Sequence, residues 1–117
     1  METKVVYPAF SKRNFYFRAH ISKFVIDNGA APINPFMNFD YFLLDTVHRD
    51  LVRNANNAII RKADELWIFG DISNGVAAEI ELAKTLRKPI RYFEIIDSKE
   101  IRKIGETEAK KRERVTR

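Results

Sequence analysis

The segment from position 70 to 79 combines a polar turn with a carboxylate. The turn reads Gly-Asp-Ile-Ser-Asn-Gly over residues 70–75 and joins an apolar run to a helical pattern. Ser73 or Asn74 can cap that helix, and backbone N–H groups at a helix start can receive an anion. An ordinary connection between a strand and a helix uses the same residue types. The turn therefore predicts an anion site and a plain connection equally well.

Glu79 distinguishes these two interpretations. At about 100° per residue, with Val76 at zero, Glu79 falls at about 300°, inside the apolar arc of the helix. Glu81 and Lys84 lie on the opposite arc. A carboxylate on a buried face is costly unless it is paired or has a task, so we interpret Glu79 as functional. The alternatives are a salt bridge to an inward-reaching Arg or Lys and a first-turn acid that offsets the helix dipole.

The elements that would position this segment alternate between strand and helix. Apolar runs and helical periodicities predict strands at 4–8, 31–33, 65–70 and 90–95, and helices at 15–27, 41–62 and 76–87. This order predicts a single-domain, three-layer α/β/α fold with a four- to five-stranded, mainly parallel sheet of the Rossmann or flavodoxin-like type. In the helix at 41–62 the predicted buried stripe is Leu44, Val47, Leu51, Ala55, Ala58 and Ile59.

Ligands of such sheets bind beyond the carboxyl ends of the strands. The segments predicted at that edge are 7–14, 34–40 and 70–79. The middle segment contains Phe36, Met37 and Phe39, which is unusually apolar for a connection. Anchoring in the core and a ligand wall explain these side chains equally well.

Composition limits the classes of function. A chain of 117 residues suits one domain, and the absence of cysteine excludes disulfides and thiolate sites. Only His20 and His48 are present, without metal-ligand spacing, so neither a metal nor another cofactor is predicted. The sequence has no signal-peptide pattern and no apolar stretch of about 18 residues, which predicts a cytoplasmic protein without a membrane partner.

The last part of the chain is basic. Residues 97–117 carry eight Lys or Arg against five acids, which supplies +3 of the net charge of +5. We expect a domain over 1–96 followed by a basic helix or tail over 97–117, with few core positions after Ile104. A solvated terminal helix explains this charge, and binding of a polyanion such as nucleic acid is the alternative.

The second half of the chain resembles the nucleoside 2-deoxyribosyltransferase-like superfamily, which includes deoxyribosyltransferases and nucleotide N-glycosidases. The matching pattern is S-x-G-x-x-x-E-I-x-x-A at 73–83, followed by K-P-I at 88–90. The run I-x-x-A-D-E-L-W at 60–67 also fits the superfamily's transition from helix to strand. The resemblance covers roughly residues 54–93 and extends to the first half only in the order of elements.

The resemblance implies roles for particular residues. Glu79 matches the glutamate that attacks or stabilises the anomeric carbon of the sugar, and Ser73 matches a serine that holds a 5′-phosphate. Asn56 stands where the superfamily usually has an aspartate, and it cannot donate a proton as an acid would. Lys12 and Arg13 replace a glycine-rich first loop and could neutralise a phosphate. Together with the segments at the strand ends, this gives the predicted substrate-binding residues Tyr7, Lys12, Arg13, Phe36, Asn56, Asp71, Ser73 and Gly75.

Three functions follow from this reading. The first is a nucleoside or nucleotide N-glycosidase, or a deoxyribosyltransferase-like enzyme, that uses Glu79. The second is a non-catalytic nucleotide sensor on the same fold, which Asn56 favours. The third is a nucleic-acid-binding module that uses the basic tail. The resemblance also implies a homo-oligomer, a dimer or higher, because relatives often complete the site across a dimer.

Overall fold

The computed structural model describes residues 2–38, 46–96 and 100–111, and within them the strands form one five-stranded sheet of order β2-β1-β3-β4-β5. The first four strands pair in parallel, and β5 pairs antiparallel with β4. The predicted fold class is therefore confirmed. The strands are β1 Val5–Ala9, β2 Ala31–Pro32, β3 Glu65–Phe69, β4 Ile90–Ile96 and β5 Glu100–Ile104.

Helices cover both faces of this sheet. After a 3-10 segment at Lys12–Phe17, they are α1 Arg18–Asp27, α2 Pro35–Asn38, α3 Arg49–Lys62, α4 Asn74–Thr85 and α5 Glu106–Lys110. Strand β3 is buried along its whole length, as its continuous apolar run predicts. Its Leu66 packs in the core under α3 and α4, whereas Trp67 packs in the core under α1. This alternation follows from the two-residue period of a strand.

The strand order sets the direction of the helices. The chain leaves β1 through α1 to reach β2, and then returns through α3 to β3 and through α4 to β4. Because right-handed crossovers in opposite directions lie on opposite faces, α3 and α4 share one face. Both run back from the carboxyl ends of the strands, so both begin at the same edge of the sheet.

Two expectations about the elements are wrong. Residues 100–104 form a strand rather than a helix, and after Ile104 the described residues hold one buried position, Ala109, which is 1% exposed. In α3, Leu51 is 62% exposed and Ala58 is also exposed, although the predicted buried stripe contains both. Leu51 precedes the buried Ile60 by nine residues, which places it about 180° around the helix. Leu44 lies outside the described residues.

No helix in the described part of the chain has the length and apolar character needed to cross a membrane.

A buried carboxylate ties together three segments at the amino-terminal end of the sheet. Glu65 is 2% exposed and accepts hydrogen bonds from Lys4 Nζ at 2.9 Å, Trp67 Nε1 at 2.8 Å and Arg91 Nε at 2.9 Å. Burial alone would raise the pKa of Glu65, but these donors and the charge of Arg91 lower the pKa to about 2. Glu65 is therefore an ionised structural residue.

The lowered pKa of Glu65 predicts a pH dependence of stability. A depressed folded pKa stabilises the fold above the unfolded value of 4.5, and this contribution is lost as pH falls towards about 2. We expect Glu65→Gln to reduce the free energy of unfolding by about 1–3 kcal/mol at pH 7, and by less at pH 3. Denaturant unfolding measures this, with Glu81→Gln as the exposed control. Equal losses in both variants would contradict the assignment.

Candidate functional site

A pocket of about 500 Å³ lies at the carboxyl edge of the sheet. Its walls come from β1 and the loop after it, from α2, from one side of α3 and from the first turns of α4. This is the edge at which ligands bind in open parallel sheets, and the volume suits a small molecule.

The start of α4 supplies one wall. Ser73 is the N-cap, and its hydroxyl accepts a hydrogen bond from the Val76 N–H at 3.4 Å. Gly75 follows in the first turn, and Glu79 lies in the second turn, where part of its surface remains exposed. Capping therefore occupies the Ser73 hydroxyl in part, while Glu79 is reachable from the pocket.

Glu79 has one hydrogen-bond donor, and its environment favours the neutral form. Tyr7 is fully buried, and its hydroxyl donates to Glu79 Oε2 at 2.7 Å. Burial raises the pKa of Glu79 to about 7, although the Tyr7 hydrogen bond and the positive charge of Arg53 act in the opposite direction. Among the described residues Glu79 forms no ion pair. A carboxyl group with a pKa near neutrality can exchange protons or act as a carboxylate.

The Tyr7 hydroxyl stays protonated at neutral pH. Burial raises the pKa of Tyr7 well above its ordinary value, and the negative charge of Glu79 raises it further. Tyr7 therefore acts as a fixed donor that orients the carboxylate.

A polar clamp positions the loop after β1. Asp71 Oδ1 accepts hydrogen bonds from Ser11 Oγ at 3.1 Å and from Asn14 Nδ2 at 3.2 Å. Gly70 has a φ of +82°, and a Cβ there would lie 2.6 Å from Asn14 Nδ2. The clamp holds Ser11 and its neighbour Lys12 at the pocket.

The structure brings most of the residues proposed for the site together. Arg13 does not line the pocket, and Asp71 contributes through the clamp rather than through the pocket wall. Phe36 lines the pocket and also packs against Phe10 and Phe15, so it serves both as an anchor and as a wall. Phe39 lies outside the described residues. The members that line the pocket are Tyr7, Lys12, Phe36, Asn56, Ser73, Gly75 and Glu79.

Sequence reasoning missed the charged side of α3. Arg49, Arg53 and Asn57 line the pocket beside Asn56. Arg49 and Arg53 precede Ile60 by eleven and seven residues, which places both within about 20° of that buried side chain. Glu79 is singled out in the sequence as a polar residue on the apolar arc of a helix. Arg49 and Arg53 carry the same signal in α3.

Asn56 carries an unsatisfied polar atom next to the pocket. Its side-chain oxygen is buried and has no hydrogen-bond partner among the described residues. A buried acceptor without a donor is unfavourable, so a ligand N–H or O–H would stabilise it.

No group of three or more His, Asp or Glu side chains that could hold a metal ion occurs in residues 2–38, 46–96 and 100–111.

Comparisons with known proteins agree with this architecture. The family model described as "Domain of unknown function (DUF7768)" matches residues 6–93. A search of curated proteins found no match. Among solved structures, the chain is similar to a 2-desoxiribosyltransferase from Leishmania mexicana at 19% identity and a TM-score of 0.54. The alignment covers 87% of this chain and 80% of that one. At this identity the likeness shows a shared fold of the deoxyribosyltransferase type.

The clamp predicts that two glycines respond differently to substitution. Gly29 has a φ of +84° with no atom near its position, so Gly29→Ala should cost about 1–2 kcal/mol from backbone strain alone. Gly70→Ala causes the same strain and also displaces Asn14. We therefore expect it to lower the free energy of unfolding by a further amount of about 1–2 kcal/mol. Denaturant unfolding of both variants tests this difference. Equal losses would mean that Asn14 moves freely and that the clamp is weak.

Proposed function

This chain belongs to the family described as Domain of unknown function (DUF7768), and we propose that it cleaves the N-glycosidic bond of a nucleoside or nucleotide through Glu79. The single observation that supports this proposal most is the state of Glu79. It is a carboxyl group with a pKa of about 7, one phenolic donor and access to a pocket of about 500 Å³. The fold shared with a deoxyribosyltransferase gives independent support.

A carboxylate at the position of Glu79 can promote cleavage of an N-glycosidic bond. When the C–N bond breaks, the base leaves with the electron pair and the anomeric carbon develops positive charge. The ionised Glu79 can stabilise that charge or form a bond to the carbon, and water or a second base then completes hydrolysis or transfer. Tyr7 is a positioning residue in this scheme, because its hydrogen bond fixes one oxygen and leaves the other for the sugar.

Asn56 favours a second candidate function, a nucleotide sensor. Its amide can bind a base but cannot protonate it, so the departing base would have to take its proton from water. A sensor would use the same pocket, and its ligand would satisfy the unpartnered Asn56 oxygen without turnover. Release of free base supports the enzyme, whereas thermal stabilisation without release supports the sensor.

Substitution of Glu79 separates catalysis from binding. In a panel of deoxynucleosides and their 5′-monophosphates, we expect Glu79→Gln to lower base release by about 10²-fold or more. Ligand-induced thermal stabilisation should survive, because the amide keeps the shape of the side chain. Glu81→Gln, on the exposed side of the same helix, is the matched control and should keep full activity.

The melting temperature of the same variant tests the structural alternative. Because the folded pKa of Glu79, about 7, lies above the unfolded value of 4.5, the folded state binds the proton more tightly. Stability therefore falls as pH rises from about 4.5 to about 7, and the penalty persists above that range. Glu79→Gln should keep or raise the melting temperature at pH 8. A strongly destabilised variant that stays active when folded would make Glu79 a structural salt-bridge residue.

A further inference from the structure

We propose that the ligand of this pocket carries a phosphomonoester, and that Arg49 and Lys12 hold it at the pocket mouth. The inference rests on the proposed function, because that function supplies the sugar that links the phosphate to the carbon at which the bond breaks. It adds that the substrate is phosphorylated rather than unphosphorylated, and it names Arg49 on α3 as a residue that recognises the phosphate.

Arg49 and Lys12 line the pocket and are exposed, which places both on its solvent-facing side, the mouth. Since α3 and α4 begin at the same edge of the sheet, Arg49, the first residue of α3, and the start of α4 after Ser73 both lie at that edge, and both line the pocket. Glu79 lies more than one turn deeper along α4, and Arg53 lies about one turn deeper along α3. A pitch of about 5.4 Å per turn is comparable to the span of a pentose ring and one methylene. In the proposed binding mode the anomeric carbon faces Glu79 and the 5′-substituent faces Arg49.

The charges that line the pocket favour binding of an anion. Its lining contains the cations Lys12, Arg49 and Arg53 against the single carboxyl group of Glu79. The charge of Arg53 acts on Glu79, and no second carboxyl group among the described residues lines the pocket to face Lys12 and Arg49. Neither of these two forms an ion pair among the described residues.

A phosphomonoester matches these two cations in charge and in hydrogen bonding. It carries a charge of about −1.5 to −2 near neutral pH. The guanidinium of Arg49 can bind two phosphate oxygens at once, and Lys12 contributes a point charge from the loop after β1. Both side chains are exposed to water, and a neutral nucleoside would offer them no charge with which to pair.

Sugars without a base test this recognition independently of catalysis. The probes are 2-deoxyribose 5-phosphate, 2-deoxyribose and inorganic phosphate, and none of them has an N-glycosidic bond to cleave. Isothermal titration at low salt should show that the sugar phosphate binds at least about tenfold more tightly than the sugar. Inorganic phosphate should bind more weakly than the sugar phosphate, because it lacks the sugar.

Substitutions identify the residues that hold the phosphate. Arg49→Gln and Lys12→Gln should each weaken binding of 2-deoxyribose 5-phosphate about tenfold. Each should change the affinity for 2-deoxyribose by less than about twofold. Arg61→Gln is the matched control, because Arg61 is an exposed arginine on the same helix outside the pocket lining. It should bind like the parent protein, and melting temperatures verify that all the variants are folded.

Several results would overturn the inference: equal affinity for the two sugars, no binding of either sugar, an equal loss in Arg61→Gln, or inorganic phosphate binding as tightly as the sugar phosphate. Base release that is as efficient from nucleosides as from their 5′-monophosphates would overturn it while the proposed function stands. A phosphate preference that depends on Arg49, without base release from any nucleotide, would support the inference while the proposed function fails.

Discussion

The hydrogen bond from Tyr7 to Glu79 joins the interior strand β1 to helix α4 at the pocket. Tyr7 is fully buried within β1, and Glu79 lies on the side of α4 that packs towards the sheet. The phenol cannot ionise at neutral pH, so it always donates. It therefore fixes one oxygen of the carboxylate without supplying the charge that would hold the group fully ionised. The Tyr7 hydrogen bond thus sets the position of Glu79, whereas burial raises the pKa of the carboxyl group.

Glu65 in strand β3 and Glu79 in helix α4 show how strongly the neighbouring groups decide the ionisation state of a carboxyl group. Glu65 has three donors, two of them cationic, and its pKa falls to about 2. Glu79 has one neutral donor within hydrogen-bond distance, and burial raises its pKa to about 7. Glu65 lies at the amino-terminal end of the strands, where it stabilises the fold. Glu79 lies towards the carboxyl end, where a ligand can reach it.

The sequence predicted those parts of the fold that strong periodicity encodes. The apolar run at 65–70 became a strand covered on both faces, and the arc that holds Glu79 became the inner side of α4. Strand β5 was missed because Ile101 and Ile104 lie three residues apart, which resembles helical spacing. In the strand they point to opposite faces and join different cores. The clamp of Asp71 could not be predicted, because it depends on the packing of two loops that are about 60 residues apart.

The proposed role of Glu79 requires that its carboxyl group stay near its titration midpoint at neutral pH. The most direct test is an NMR titration of the side-chain carboxyl carbons of ¹³C-labelled glutamate, with Glu79 assigned by the signal that disappears in Glu79→Gln. The account predicts a midpoint for Glu79 near pH 7, clearly separated from those of the exposed glutamates. A midpoint near the ordinary value of 4.5 would show that Glu79 is solvated or ion-paired, and would contradict the account.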